Sequence, residues 1–524
     1  MDDQFKEWCH SFAASLGSLE FYSHHQSRSI FLVPERLKKP NVDAYMPRVV
    51  SIGPRFKGSN EDLLQMEDIK IRCMKHLFQR GILRDRSAYE TLESCCKALW
   101  EIDDVIRANY GPDINNIETQ ELTQIMLVDG CFLLELLIEK GLYEVPESVV
   151  DSPFFPGPAI ELLRDEDVLS DLTLLENQIP IRIIYLLLRT LFPELTGYST
   201  SEGETKINNL ILFVLGYRQG RILDILDIRG YHPGPVLSIH GDHILDIVNL
   251  FVNWDFDQYG NFLDLFQFRD APQQHQLKLN RCALRLLTAG VIIKARFPEH
   301  HEEYSNFNLS LVWRSLCGLL NSIFLVNERG RHLDLDYIHQ EVELKCLNFH
   351  FKFEKGKLEI EQLHITKTTK AKWCNLIAWE HLQSNLRSTT RRGSGNCKFT
   401  SAALIFNGLI CSEDDVQLLK NKKIVVDHLK MSNRELVEYF RKVALGVDHK
   451  VVAYSIYTEM VRCINNSEAF FIKQMWIMVW NSFTCRQEWV VRFLNRNYNF
   501  VATVVSVLAV VQTVYTVLPY YFPK

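Results

Sequence analysis

The spacing of apolar side chains divides the chain into stretches of different period. From Leu63 to about Asn109, residues Met66, Ile69, Ile71, Met74, Leu77 and Phe78 fall mostly at i, i+3, i+4 steps, which predicts helix with one buried stripe. The run from Glu121 to Lys140 is apolar nearly all round, the mark of a helix enclosed by core, and Asp129 and Glu135 interrupt it. The Pro/Gly cluster DSPFFPGP, Asp151–Pro158, reads as loop. The stretch DEDVLSDLTLLENQIPIRIIYLLLRT then predicts two helices broken near Gln178–Pro180. Asn177 is expected to cap the second of them, with Pro180 in its first turn, where a missing N–H costs nothing. A helical segment around His240–Val252 follows, and APQQHQ, Ala271–Gln276, reads as a linker.

From about Gly290 the period shortens towards two. GVIIKARF, SIFLV and LNFHFKFEKGKLEIEQLHI read as short strands, with Glu354–Gly356 as a turn between two of them. Helical patterning resumes at Lys372 and runs to the tail. The expected fold is mainly α-helical with a small antiparallel β element and a single C-terminal transmembrane helix. Its parts are a poorly specified leader at 1–29, a helical part at 30–270, a mixed α/β part at 277–485 and the membrane helix at 500–518.

Phe500 to Leu518 carries no charge, and nineteen residues at about 1.5 Å each reach roughly 28 Å, the thickness of a bilayer's hydrocarbon. Its many Val and Thr residues make a poor helix in water, whereas in lipid the backbone must bond internally and the helix wins. A helix buried in the protein's own core is the alternative. Arg486, Arg492 and Arg496 precede the run, Trp476, Trp480 and Trp489 suit an interface, and only Lys524 follows. The positive-inside rule then places the bulk in the cytosol, so the sequons at Asn308 and Asn465 should stay bare. Ala502, Ser506, Ala509, Thr513 and Thr516 recur at steps of 4, 3, 4 and 3 along one face, with Gln512 at its edge. They form a candidate transmembrane packing face, because helices in lipid associate where small residues let backbones approach; the alternative is that small residues are merely tolerated there.

Composition narrows the remaining choices. A net charge of −6, from 58 basic and 64 acidic residues, lacks the basic stripe of a nucleic-acid protein. The N-terminus MDDQFKEWCHSF shows no secretory signal. Thirteen scattered cysteines, with no C-x-x-C pair, read as reduced thiols of a cytosolic compartment. No P-loop, dinucleotide fingerprint, zinc-protease helix or nucleophile elbow is present, so no catalytic, cofactor or metal residues are assigned.

Four polar groups are candidates for chemistry all the same. His240 and His243 in SIHGDHILDIV could bind a metal with Asp242 or Asp246, or Asp242 could simply cap the helix that follows. Asp129 and Glu135 could be tuned acids or partners of a helix terminus. Glu176, Asn177 and Gln178 form a polar knot suited to satisfying backbone at the helix break. Arg387, Arg391 and Arg392 lie on a polar, Gly-containing stretch, Ser384–Cys397, that reads as a solvated loop or as a contact for phosphate or an acidic partner.

Several blocks also carry a family resemblance. IFLVPERLKKPNVDAYMPRVVSIGP (Ile30–Pro54) and MEDIK (Met66–Lys70) resemble the opening signature of the plant family called domain of unknown function 247. MLVDGCFLLELL (Met126–Leu137), DLTLLENQIP (Asp171–Pro180), LRLLTAGVIIKARF, TKAKWCNLIAWEH and LICSEDDVQLLKNKKIV follow in its order. Arg55, Phe56 and Lys57 depart from it, standing where an aromatic–His–His-like run is expected. The resemblance implies a plant protein with no assigned reaction and one C-terminal membrane segment. Some family members at the grass S and Z loci are implicated as pollen-side determinants of self-incompatibility.

Two functions are therefore expected. The first is a membrane-anchored interaction or recognition protein, its partners the lipid bilayer and another transmembrane protein or a second copy through the tail helix. The alternative is an enzyme of unrecognised type using the buried acids, which requires those acids to converge on one open pocket.

Overall fold

The computed structural model describes residues 28–81, 87–143, 165–192, 241–258, 278–296, 349–387, 397–452 and 456–465 almost throughout, with shorter pieces at 158–159, 207–215 and 506–513. Its helices are α1 (Glu35–Lys38), α2 (Glu61–Gly81), α3 (Ala88–Trp100), α4 (Asp103–Tyr110), α5 (Thr119–Tyr143), α6 (Glu166–Asp171) and α7 (Ile181–Leu191) in the first part. They continue with α8 (Ile244–Gln258), α9 (Ala283–Thr288), α10 (Thr369–Arg387), α11 (Lys398–Leu409), α12 (Glu413–Asn421), α13 (Asn433–Ala444) and α14 (Ile456–Asn465). The chain is mainly helical, as its periodicity predicts.

Helix α5 is the axis of the first part. From Ile125 to Leu137 it is buried on all sides, with α2, α3 and α7 packed around the helix. That packing explains the apolar character of this stretch. Several other helix starts are written locally. Ser87 with Glu90, Ser412 with Asp415 and Ser432 with Glu435 each form a reciprocal capping box at the start of α3, α12 and α13.

The β element departs from expectation. Strands β2 (Phe351–Glu354) and β3 (Lys357–Glu361) do form the antiparallel hairpin, turning at Gly356 with φ +77°. However, β1 (Ile292–Arg296) runs parallel to β3, and β4 (Leu363–Ile365) runs parallel to β5 (Val425–Asp427). The three-stranded sheet is mixed and the two-stranded sheet parallel, rather than antiparallel. A parallel pair needs a long crossover, and period-2 alternation says nothing about which distant strand becomes the neighbour.

The helical and mixed parts share one hydrophobic core, which runs from Ile30 to Ile464. Phe349, Trp373, Phe406 and Phe440 stack in its second half. Buried polar side chains stitch the parts together. Asn375 accepts a hydrogen bond from the Leu175 N–H at 2.8 Å and donates to the Ala44 carbonyl at 2.8 Å. The Trp379 indole donates to Asp246 at 3.0 Å.

Among the described residues no helix is long and apolar enough to cross a membrane. The expected span at 500–518 is described only over 506–513, which is helical and exposed; the rest of it lies outside the described residues.

Candidate functional site

The densest buried polar cluster joins two blocks far apart in sequence. Residues 30–54 have little regular structure beyond α1 and a short 3-10 turn, yet Ile30, Val33, Leu37, Tyr45, Val50 and Ile52 are buried. A buried segment without a ladder of its own needs side chains to satisfy its backbone. The knot at 171–178 supplies them. Asp171 accepts from the N–H groups of Arg48 (3.0 Å), Val49 (2.8 Å) and Val50 (3.0 Å). Asn177 accepts from the Ile52 N–H at 2.7 Å and donates to the carbonyls of Val50 and Asp171, both at 3.0 Å. Glu176 accepts from the Val33 N–H at 2.7 Å and pairs with Lys38 at 2.8 Å. Gln178 donates to the carbonyls of Leu172 and Leu174, each at 2.8 Å.

This geometry corrects the expected capping role of Asn177. Pro180 is itself the residue preceding α7, with φ −57° and ψ 131°, and the Ile181 N–H bonds the Asp242 carbonyl at 2.9 Å. Asn177 is a strut between two chain segments. Burial pushes Asp171 up to about 6, against the pull of the three backbone N–H groups it binds.

Asp129 completes the clamp from α5. One of its oxygens accepts from the Gly53 N–H and the other meets the Lys70 ammonium, both at 2.7 Å. Lys70 also pairs with Glu67 at 2.6 Å. Burial alone would lower Lys70, but Asp129 and Glu67 outweigh it and hold it above its ordinary value. Gly53 has φ +78°, and a β-carbon there would come within 2.6 Å of the Gln178 carbonyl oxygen. Two constraints therefore require glycine at that one position.

A second pairing repeats along the same seam. His76 on α2 stands 2.5 Å from Glu135 and 3.8 Å from Glu139, both fully buried on α5. Lys70 meets Asp129, and six residues on in each helix His76 meets Glu135. Helices α2 and α5 thus run parallel, with two polar rungs about 9 Å apart. His76, Glu135 and Glu139 form one of two described groups able to hold a metal ion; Cys282, Cys411 and Asp415 form the other. Neither includes the histidines of the SIHGDH stretch.

His240 lies outside the described residues. His243 precedes α8 and is fully buried: its Nδ1 accepts from the Asp246 N–H at 3.2 Å, and its Nε2–H donates to the Ser29 carbonyl at 3.1 Å. Asp246 in turn accepts from the Asp242 N–H at 3.0 Å. The imidazole therefore takes the capping role expected of Asp242, and with both nitrogens engaged it is a structural strut. Burial lowers it to about 3.

Helix α10 reaches Arg387, so the expected loop begins later; Arg391 and Arg392 lie outside the described residues. Of the tail stripe, Ser506, Ala509 and Thr513 are exposed on the 506–513 helix, and the Thr513 hydroxyl donates to the Ala509 carbonyl at 2.7 Å. Ala502 and Thr516 lie outside the described residues.

Arg55, at the position that departs from the family pattern, also works as wiring. Its guanidinium binds Asp113 at 2.8 Å and the carbonyls of Phe31 and Ile30, each at 3.0 Å. None of these groups lines either of the cavities found among the described residues. Two described cavities, lined by residues such as Leu133, Leu172 and Ile244 or Leu404, Ile405 and Val461, offer about 10 Å³ each, room for one water. The acids of the clamp hold backbone, and the arrangement serves to fix a segment in place.

A mainly helical protein whose irregular N-terminal segment is clamped by a polar block defines the class. The chain belongs to the DUF247 family, plant proteins of unknown function, whose profile matches residues 30–321 and 331–512. It is similar to the UPF0481 protein At3g47200 of Arabidopsis thaliana, 25% identical over 427 residues covering 81% of this chain and 74% of that relative. A second Arabidopsis thaliana relative, UPF0481 protein At3g02645, is 24% identical over 474 residues covering 80% of this chain and 78% of its own length. No solved structure matches.

Proposed function

We propose that this plant protein is a membrane-anchored interaction or recognition protein, with its folded part on the cytosolic side and residues 500–518 as the anchor. The observation that carries the reading is the helix at 506–513. Every residue in it is exposed, and Val507, Leu508, Val510 and Val511 are 49–62% exposed, so the helix presents an uncovered apolar surface. Such a surface is stable against lipid or a partner helix and costly in water. The engagement of the buried acids with backbone and with Lys70 and His76 favours a scaffold over a reaction centre. Pollen-side recognition in self-incompatibility is the particular form the family resemblance suggests.

Asn465 also supports this orientation. Its amide donates to the Lys278 carbonyl at 2.8 Å and accepts from the Asn280 N–H at 3.0 Å, a bridge that a glycan would break. The test is carbonate extraction of membranes from plant cells expressing the tagged full chain, beside a chain ending at Asn499. The full chain should stay in the pellet, resist glycosidase and lose its membrane association on truncation. Release of the full chain by carbonate, or a glycosidase mobility shift, overturns the reading.

A further inference from the structure

We propose that Cys282, Cys411 and Asp415 form a binding site for a thiophilic divalent cation of the zinc class. The proposal is independent of the membrane reading and concerns the place where α9 meets the turn between α11 and α12.

The three side chains come from separate segments. Cys282 immediately precedes α9 and makes no side-chain capping bond. Cys411 lies in the turn after α11, and Asp415 is the third residue of α12. One donor atom from each, two sulfurs and a carboxylate oxygen, all lie within 4.8 Å of one another. On a tetrahedral zinc ion, with Zn–S about 2.3 Å and Zn–O about 2.1 Å, neighbouring donors stand roughly 3.5–3.8 Å apart. The existing cluster therefore accommodates the ion with side-chain adjustment alone.

The carboxylate is already oriented. One Asp415 oxygen accepts from the Leu284 N–H at 2.9 Å, and the other accepts from the N–H groups of Cys411 (3.1 Å) and Ser412 (3.0 Å) and from the Ser412 hydroxyl (2.9 Å). Metal-ligating carboxylates are characteristically hydrogen-bonded in this way, which fixes the ligand before the ion arrives. Burial alone would raise Asp415, but these donors, with the Cys282 side chain, hold it below the usual carboxylate range. The capping geometry accounts for Asp415 and Ser412. The Cys282 thiol adds a further hydrogen bond to Asp415 and Cys411 stands beside both, so two thiols from separate segments meet at one carboxylate.

Softness and access select the ion. Two sulfurs favour zinc, cadmium or cobalt over magnesium and calcium, which take oxygen ligands. Cys411 is exposed and Cys282 half-buried, which leaves an entry path and a fourth position for water or a donor from another molecule. Burial, with Cys282 and Asp415 beside it, pushes the Cys411 thiol up, so the ion must displace the thiol protons. Uptake is Zn²⁺ plus two thiols giving a zinc dithiolate and two protons, and affinity rises with pH.

The test uses the full-length chain in detergent, reduced and then held anaerobically. Cobalt(II) is titrated as the spectroscopic probe, zinc is added in competition, and cysteines are mapped by alkylation and mass spectrometry with and without zinc. The expected result is one equivalent of cobalt with a sulfur-to-cobalt charge-transfer band, displaced by zinc. In the unmutated protein zinc should protect Cys282 and Cys411 from alkylation while Cys96 and Cys463 are unaffected. Cys411→Ser and Cys282→Ser should each weaken binding by 100-fold or more, and Cys463→Ser should leave it unchanged. Absence of a thiolate band, equal alkylation of Cys282 and Cys411 with and without zinc, or a Cys282–Cys411 disulfide forming in place of metal uptake overturns the proposal. The alkylation map decides the matter even where a serine variant fails to fold.

Discussion

Replacing Asn177 with leucine keeps a side chain of similar size and removes every hydrogen bond that side chain makes. Three buried backbone groups lose that partner: the Ile52 N–H and the carbonyls of Val50 and Asp171, of which the last keeps the Leu174 N–H at 3.2 Å. Leaving a buried donor or acceptor unmade costs about 1–3 kcal/mol each, so the Ile52 and Val50 groups put the expected loss at about 2–6 kcal/mol. A lost helix cap would cost only about 1 kcal/mol. The two explanations therefore differ in size and also in place. If Asn177 is a strut, the amides of Ile52 and Gly53 lose protection from hydrogen exchange, because the clamp opens there first. If it were a cap, protection would fall at the start of α7. Urea unfolding of the full chain, followed by tryptophan fluorescence, gives the magnitude, and native-state exchange of the peptide covering 48–54 gives the place. A loss under about 1 kcal/mol with unchanged Ile52 protection refutes the reasoning.

Lys70→Met should cost about 3–5 kcal/mol in the same unfolding assay, because it strands Asp129 as a buried charge; adding Asp129→Asn should recover part of that loss, and a neutral single variant would refute the pairing. His243 is lowered to about 3 by burial and titrates at about 6.5 when unfolded, so its contribution to stability is complete above about 6.5 and is lost as pH falls from there towards 3. His243→Gln should flatten the acid limb of a stability-versus-pH curve, and an unchanged limb would count against it. Gly446→Ala should destabilise the contact between α1 and the end of α13, because Gly446 has φ +83° and a β-carbon there would overlap the Arg36 carbonyl; wild-type thermal stability would contradict this. Replacing Ala502, Ser506, Ala509 and Thr513 together by Leu should lower the signal of a reporter of transmembrane self-association while leaving insertion intact, and an unaltered signal would remove the stripe as a packing face.

Period analysis reads what is local. The stripe of Met66, Met74 and Phe78 and the all-apolar run through Phe132 give α2 and α5 directly, since burial in a helix follows the 3.6-residue repeat. The starts of α3, α12 and α13 are capping boxes in Ser-x-x-Glu or Ser-x-x-Asp spacings, a local signal that the period analysis passed over. The β1–β3 pairing was not legible. Ile293 sits beside Leu358 in parallel register, and nothing in either strand specifies a partner so far away. The His76–Glu135 and Cys282–Cys411–Asp415 groupings escaped for the same reason: each member looks ordinary within its own window, and only the tertiary fold brings them together.

The polar knot was read rightly as satisfying backbone, but its reach to a distant segment was missed. Glu176, Asn177 and Gln178 stand out because they interrupt apolar sequence, and the two natural local explanations are a helix cap or a tuned acid. Seeing which backbone it satisfies requires knowing that residues 50–53 are buried without a helix or sheet of their own. Once that segment is in place, every member of the knot has a definite backbone partner, and the VVSIG and LLENQIP blocks become two halves of one unit. Asp171 serves Val49 and Val50, Asn177 serves Ile52, and the Gln178 carbonyl accepts from the Tyr110 hydroxyl and passes close over Gly53. An acid used in this way is costly to bury and makes three directed contacts in return, which is the geometry of a clamp. A catalytic acid must instead keep a lone pair turned towards substrate space. The same physical fact, a carboxylate inside an apolar wall, thus supports opposite readings, and what separates them is the identity of the atom each oxygen faces.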